Sequence, residues 1–134
     1  VRGICGLRPG VEGVSENISV VSVLGRFLEH SRIYCFERGG ERCVYTGSAD
    51  LMPRNLYKRI ELIIPIEDPS VQAEMVDILE LSLDDTAGAW TLDAEGGWTR
   101  RGPAEGEEPF SVQQALVERS AGRAAEAHSP APAE

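Results

Sequence analysis

No apolar run in this 134-residue chain approaches the roughly 20 residues needed to cross a membrane, which excludes a helical span. A signal peptide is equally lacking: the opening residues have neither a charged n-region nor an apolar h-region. Cysteine is scarce. Cys5, Cys35 and Cys43 are odd in number and lack C-x-x-C spacing, which argues against a zinc or thiol redox site and for a reduced, cytosolic chain. Basic residues are outnumbered 13 to 22, giving a net charge of −9. The long-range field therefore repels nucleic acid and anionic lipid, and a polyanion could bind only at a local basic site. No internal repeat is visible. What remains is an ordinary soluble mixture, 42% hydrophobic and 26% charged, about one domain in length. The sequence opens on Val1 rather than Met, and Val1 to Leu7 reads as strand, so the chain is expected to begin inside a larger protein.

Composition shifts after Arg101. Residues 102–134 hold six acidic residues and two arginines, amid Gly, Pro and Ala that cannot bury enough apolar surface to offset chain entropy. This stretch is expected to be linker and frayed terminus, except that Ser111 and Gln114 form a capping box for a short helix to about Ala121. Earlier, Ser15 or Asn17 opens an expected helix to about His30, with Val20, Val23, Leu24, Phe27 and Leu28 on one face. Ile33 to Phe36 and Cys43 to Thr46 read as a hairpin around Gly39-Gly40. Arg59 to Ile66 reads as a central strand covered on both faces. Asp68-Pro69 caps a helix to about Leu83, with Val71, Met75, Ile78 and Leu79 on its apolar face. Trp90 to Leu92 and Trp98 to Arg100 flank Glu95-Gly96-Gly97 as a second hairpin. Strands mixed with helices indicate an α/β or α+β layer fold.

Few residues here suit chemistry. His30 is the one histidine outside the tail, where His128 lies, and imidazole titrates near neutral pH. Gly47-Ser48-Ala49-Asp50 lets a backbone turn approach a ligand, and Ser48 offers a hydroxyl and an N–H to a phosphate oxygen. The same pattern also describes an ordinary turn after a strand. Arg54, Lys58 and Arg59 lie within six positions, and Arg54 and Lys58 share a face if they stand on one helical turn. A solvated face remains open for them, but an arginine fork suits phosphate oxygens. Arg2 lies in an apolar segment, where a charge needs a partner or a function. Arg32, two residues after His30 on an expected strand, should project to the same side. Together these residues suggest an anion site.

At this point longer strings become informative. Val1-Arg2-Gly3-Ile4-Cys5, Leu7-Arg8-Pro9-Gly10, Ser15-Glu16-Asn17-Ile18, Gly25 through Tyr34 and Tyr45-Thr46-Gly47-Ser48-Ala49-Asp50-Leu51-Met52-Pro53-Arg54-Asn55-Leu56 closely resemble the C-terminal end of bacterial polyphosphate kinases. The resemblance spans residues 1 to about 121. It implies an α/β phospholipase-D-like domain, a mixed sheet flanked by helices, truncated at its N-terminus, with 122–134 as a disordered tail.

The implied reaction is reversible transfer of the terminal phosphate of ATP to polyphosphate through a phosphohistidine, whose histidine lies upstream of Val1. By the same resemblance, His30 matches a second active-site histidine that contacts nucleotide phosphates and is a candidate general acid. Arg2 matches a nucleotide-binding arginine, and Arg59 an arginine lining the phosphate tunnel; Arg32, Ser48 and Arg54 join them as expected phosphate-binding residues. Ligands for Mg2+ are expected upstream, with no metal site in this chain. Expected partners are ATP or ADP, polyphosphate, the upstream domains and, at full length, further copies in a homo-oligomer, in a cytoplasmic or membrane-associated parent.

Departures from related patterns refine these expectations. The phospholipase D signature is His-x-Lys, an acidic residue, then Gly-Ser-x-Asn. Here Arg32 replaces the lysine, Glu37 stands in the acidic place and Asp50 replaces the asparagine, which disfavours phosphodiester hydrolysis. Within the kinase pattern, Gly6 stands where a second cysteine is common and Leu51 where tryptophan is usual. Two rival readings are a non-catalytic module that binds polyphosphate or nucleotide, and a phospholipase-D-like phosphodiesterase.

Overall fold

The computed structural model describes residues 5–127, so Arg2 and His128 lie outside the described residues. Among the described residues, six strands and three helices follow one another as β1 (Val21–Val23), β2 (Ile33–Arg38), β3 (Glu41–Gly47), α1 (Pro53–Lys58), β4 (Ile63–Ile66), α2 (Pro69–Asp84), β5 (Ala89–Leu92), β6 (Trp98–Arg100) and α3 (Val112–Ala127). The expected α/β class holds. The strands form two three-stranded sheets, ordered β1-β5-β6 and β2-β3-β4, with every pairing antiparallel. The chain divides into two compact units: Glu29–Leu83 is one, and the segments on either side of it make the other.

In the unit 29–83, β2 and β3 form the expected hairpin. Its turn is Gly39-Gly40, with φ of 61° and 87°, the left-handed pair that a two-residue hairpin turn requires. The register sets Tyr34 opposite Tyr45 and Glu37 opposite Arg42, whose side chains pair across the strands at 2.9 Å. The ring of Phe36 meets that of Tyr45 edge-on, with centroids 6.0 Å apart. The core of this unit includes Val44, Ala49 and Val76, all buried. Asp68 caps α2 as expected, its Oδ1 accepting from the backbone N–H groups of Ser70 at 2.8 Å and Val71 at 3.2 Å. On α2, Met75, Ile78 and Leu79 are half-buried with Val76 beneath them, while Val71 is exposed.

One expected strand is corrected here. The run from Arg59 was expected to be central and covered on both faces, but the strand begins only at Ile63, lies at the edge of its sheet, and leaves Ile63 and Ile64 exposed. The polar ties of Glu61 described below hold the preceding residues out of the ladder.

The other unit corrects two more. The strand expected from Val1 to Leu7 is not found at Cys5 to Leu7, and its first four residues lie outside the described residues. The helix expected from Ser15 to His30 is absent: turns lead to β1, which pairs with β5 through Val21 opposite Thr91 and Val23 opposite Ala89. The β-branched residues Val20, Val21 and Val23 favour that ladder over a helix. Beyond it, the buried amide of Gln113 grips Phe27 on both backbone groups, accepting from its N–H at 2.9 Å and donating to its carbonyl at 2.8 Å. That grip holds the segment open, and Leu24, Phe27 and Leu28 stay exposed rather than forming a buried stripe.

The second hairpin forms where expected, β5 and β6 joined by a turn in which Asp93 Oδ1 accepts from the N–H groups of Glu95 and Gly97 and Gly96 takes φ 91°. Asp85, fully buried, receives the N–H groups of Gly88 at 2.7 Å and Val112 at 2.9 Å and so ties this unit to the start of α3. Ser111 Oγ lies 3.4 Å from the N–H of Gln114, but the Gln114 side chain donates to Glu118 rather than closing a capping box. The helix also continues past Ala121 to Ala127, six residues into the stretch expected to be disordered; 128–134 lie outside the described residues.

Candidate functional site

The turn after β3 and the stretch leading into β4 approach each other closely. A Cβ at Gly47 would run into the carbonyl oxygen of Leu62, so only glycine fits there without moving backbone. Ser48 then locks the two segments: its N–H donates to Leu62 O at 2.9 Å, and its Oγ accepts from Leu62 N–H at 3.1 Å. The Ser48 hydroxyl donates to Glu61 Oε2 at 2.5 Å. Both donors expected for a phosphate oxygen are thus engaged within the protein.

Glu61 is the hub of the cluster. Its side chain is only 9% exposed, and its Oε1 accepts from Asn55 Nδ2 at 2.7 Å and lies 3.2 Å from Arg59 Nε. The Ser48 hydroxyl is the largest influence holding the Glu61 carboxyl below the usual carboxylate range. Burial pushes the other way, and Asn55, Arg59 and Arg32 add to the lowering. The carboxylate therefore stays ionised and acts as a fixed acceptor. Asn55 comes from α1 and is buried, its Oδ1 without a hydrogen-bond partner among the described residues. Leaving a buried amide oxygen bare costs on the order of 1–3 kcal/mol, so the position is not one chosen for packing alone.

Arg59 is half open. Its side chain is 54% exposed, and with Nε turned to Glu61 its Nη nitrogens form no ion pair among the described residues. Arg32 is more committed. Its Nε pairs with Asp50 Oδ1 at 3.0 Å, and its Nη1 donates to the backbone carbonyl of His30 at 2.8 Å. Arg32 and His30 precede β2 rather than lying on it, so the expected strand alternation does not apply; the arginine folds back on His30 instead. The His30 side chain is exposed. Two departures from the phospholipase D signature, Arg32 and Asp50, are thus bonded to each other.

Arg54 and Lys58 do stand on one helix, α1, both exposed, and neither forms an ion pair among the described residues. The structure therefore gathers Ser48, Arg59 and Arg32 around Glu61, places His30 beside Arg32, and leaves Arg54 on the exposed face of α1. Sequence reasoning missed Glu61 and Asn55. The available signal was the charge itself: Glu61 interrupts the apolar run Ile60 to Ile64, and a carboxylate there needs partners. Among the described residues no three His, Cys, Asp or Glu side chains come together as a metal site, and the cluster's arginines suit an anion.

Residues 1–113 match the family model described as polyphosphate kinase C-terminal domain 2. The chain belongs to the polyphosphate kinase family. It is 53% identical over 113 residues to the polyphosphate kinase of Synechocystis sp., and 50% identical over 119 residues to that of Streptomyces coelicolor. These matches cover 84% and 88% of this chain but 16% of each relative. The crystal structure of polyphosphate kinase from Porphyromonas gingivalis matches with a TM-score of 0.82 and 40% sequence identity, covering 90% of this chain and 18% of that one. The phospholipase-D-like α/β fold expected of a polyphosphate kinase C-terminal domain is supported by that match.

Proposed function

We propose that this chain supplies part of the phosphate-binding surface of an enzyme that moves the terminal phosphate of ATP reversibly onto polyphosphate. The observation that carries the reading is Arg59, fixed at Nε by an ionised Glu61 with its remaining guanidinium nitrogens half open to solvent. Phosphoryl transfer is mostly positioning and neutralisation of charge on the phosphate oxygens, and a guanidinium held in place before the substrate arrives does both. Arg54 and Lys58 extend the positive surface along α1. Ser48 and Arg32 act as supports, one for the turn and one for His30.

In this reading the phosphate passes from ATP to a histidine nitrogen outside this chain, releasing ADP, and then to the terminal oxygen of polyphosphate. His30 gives a proton to the departing oxygen, and Arg2 holds nucleotide phosphates. Magnesium, expected with ATP, has no carboxylate cluster to hold it among the described residues, and no step here depends on it. A homo-oligomeric parent in the cytoplasm belongs to the same reading. No described helix is long and apolar enough to cross a membrane. The phosphodiesterase alternative is disfavoured because the two residues that depart from its signature neutralise each other as an ion pair.

The test is a chimaera in which this chain replaces the matching segment of the Synechocystis sp. polyphosphate kinase. Kinase activity is expected, with R59A raising KM for polyphosphate and H30A lowering kcat by about 10²- to 10⁴-fold, the usual range for a lost general acid. An active chimaera indifferent to both substitutions would overturn the assignment.

A further inference from the structure

We propose that Asn55 is a positioning residue: it fixes the ionised Glu61 carboxylate and, through it, the orientation of the Arg59 guanidinium. This rests on the phosphate-binding reading above and names the element that sets its geometry. Nothing in the identity of Asn55 suggests chemistry, since an amide neither titrates nor attacks. Its placement does. Asn55 is buried in α1, and the only side-chain bond made by its amide among the described residues runs from Nδ2 to Glu61 Oε1 at 2.7 Å.

The bond to an acceptor-only carboxylate also fixes which way the amide faces, with Nδ2 toward Glu61 and Oδ1 away. Oε1 is the same atom that faces Arg59 Nε at 3.2 Å, so the amide and the guanidinium share one oxygen. Ser48 holds the other. With Oε1 and Oε2 pinned from opposite sides by Asn55 and Ser48, the carboxylate plane cannot rotate, and the Arg59 fork inherits its direction. Ser48 is tied to backbone at Leu62, whereas Asn55 is the support that comes from α1, the helix carrying Arg54 and Lys58. One side chain therefore couples the basic helix to the arginine that follows it.

The experiment uses the chimaeric kinase of the preceding test, isotope-labelled in the segment from this chain, with the Glu61 carboxyl and the Arg59 Nε–H followed by NMR and polyphosphate binding followed by titration. N55D keeps the volume of the side chain and turns its donor into an acceptor beside Glu61; N55S keeps a donor. The Glu61 midpoint should rise clearly in N55D, because a like charge replaces a hydrogen bond that favours the ionised form, and should rise less in N55S. The Arg59 Nε–H signal should shift in N55D as its ion pair with Glu61 is disturbed.

Polyphosphate affinity should fall roughly tenfold in N55D, as for loss of one charge-assisted contact, and N55D/E61Q should bind no more weakly than E61Q alone. An unmoved Glu61 midpoint in folded N55D, or losses that multiply in the double variant, would overturn the proposal. So would failure of both N55D and N55S to fold, which would make Asn55 a residue of the fold. If the unaltered chimaera binds no polyphosphate, the phosphate reading falls, while the Glu61 titration still decides whether Asn55 positions that carboxylate.

Discussion

Glu61 shows what a single half-buried carboxylate can organise. Its two oxygens accept hydrogen bonds from Ser48 and Asn55 and pair with Arg59, and the Ser48 hydroxyl has the largest part in keeping it ionised. A group whose folded pKa is depressed contributes stability that is present above its unfolded value and lost as the pH falls through the folded one. The Ser48–Glu61–Asn55 ties are therefore intact at neutral pH and released only in acid, below the usual carboxylate range. Ser48→Ala should raise the Glu61 midpoint toward that range, so that release begins at higher pH; a carboxyl-detected NMR titration checks this. Of this cluster, the sequence singled out Ser48, Arg59 and Arg32 as phosphate-binding candidates, because hydroxyls and arginines announce what they can bind, but not the internal bonds of Ser48 and Arg32. It hid Asn55 and Glu61, which meet across six positions, because neither residue type is unusual in a short helix or beside a strand.

At the scale of elements, local signals were legible where turn or cap chemistry decides the outcome. Gly39-Gly40, Glu95-Gly96-Gly97 and Asp68-Pro69 each specify a backbone conformation that few alternatives satisfy, and each forms as read, the second with Asp93 holding the turn. The misreading at residues 15–30 has the opposite cause. Apolar residues there recur at helical spacing, yet the segment is held by a ladder to β5 and by Gln113, partners 66 to 86 residues away in sequence that no local pattern contains. The β2–β3 hairpin offers the sharper test of the local argument. Gly39→Ala places a Cβ in the left-handed region at φ 61° and should cost about 1–2 kcal/mol, read from a shift in the urea unfolding midpoint at unchanged slope. A substitution without effect would mean that the turn relaxes into another type and that the register is held by the strands alone.

For the whole molecule, the apolar surface lies unevenly. Within the unit 29–83, Leu51, Leu56, Tyr57, Ile60, Leu62, Ile63 and Ile64 are all exposed, Ile60 fully and Leu51 77%, and they flank a strand whose outer edge pairs with nothing among the described residues. Single exposed apolar residues are normal on a protein surface, but these and Met52 make eight within 14 positions beside an open strand edge, a concentration that invites association. The chain spans 16% of the curated relatives it matches, and in it these apolar side chains stand open to solvent. The 134-residue chain alone is therefore expected to self-associate at micromolar concentration. Sedimentation velocity should show species above the 14.6 kDa monomer, shifting toward monomer in the double variant I60K/I64K, which puts two charges beside the open edge. A chain that sediments as a monomer across the concentration range, with or without the lysines, would show that the patch is not adhesive. Salt separates this from charge-driven association: apolar contact strengthens in sulfate, whereas pairing between charged groups weakens as ionic strength rises.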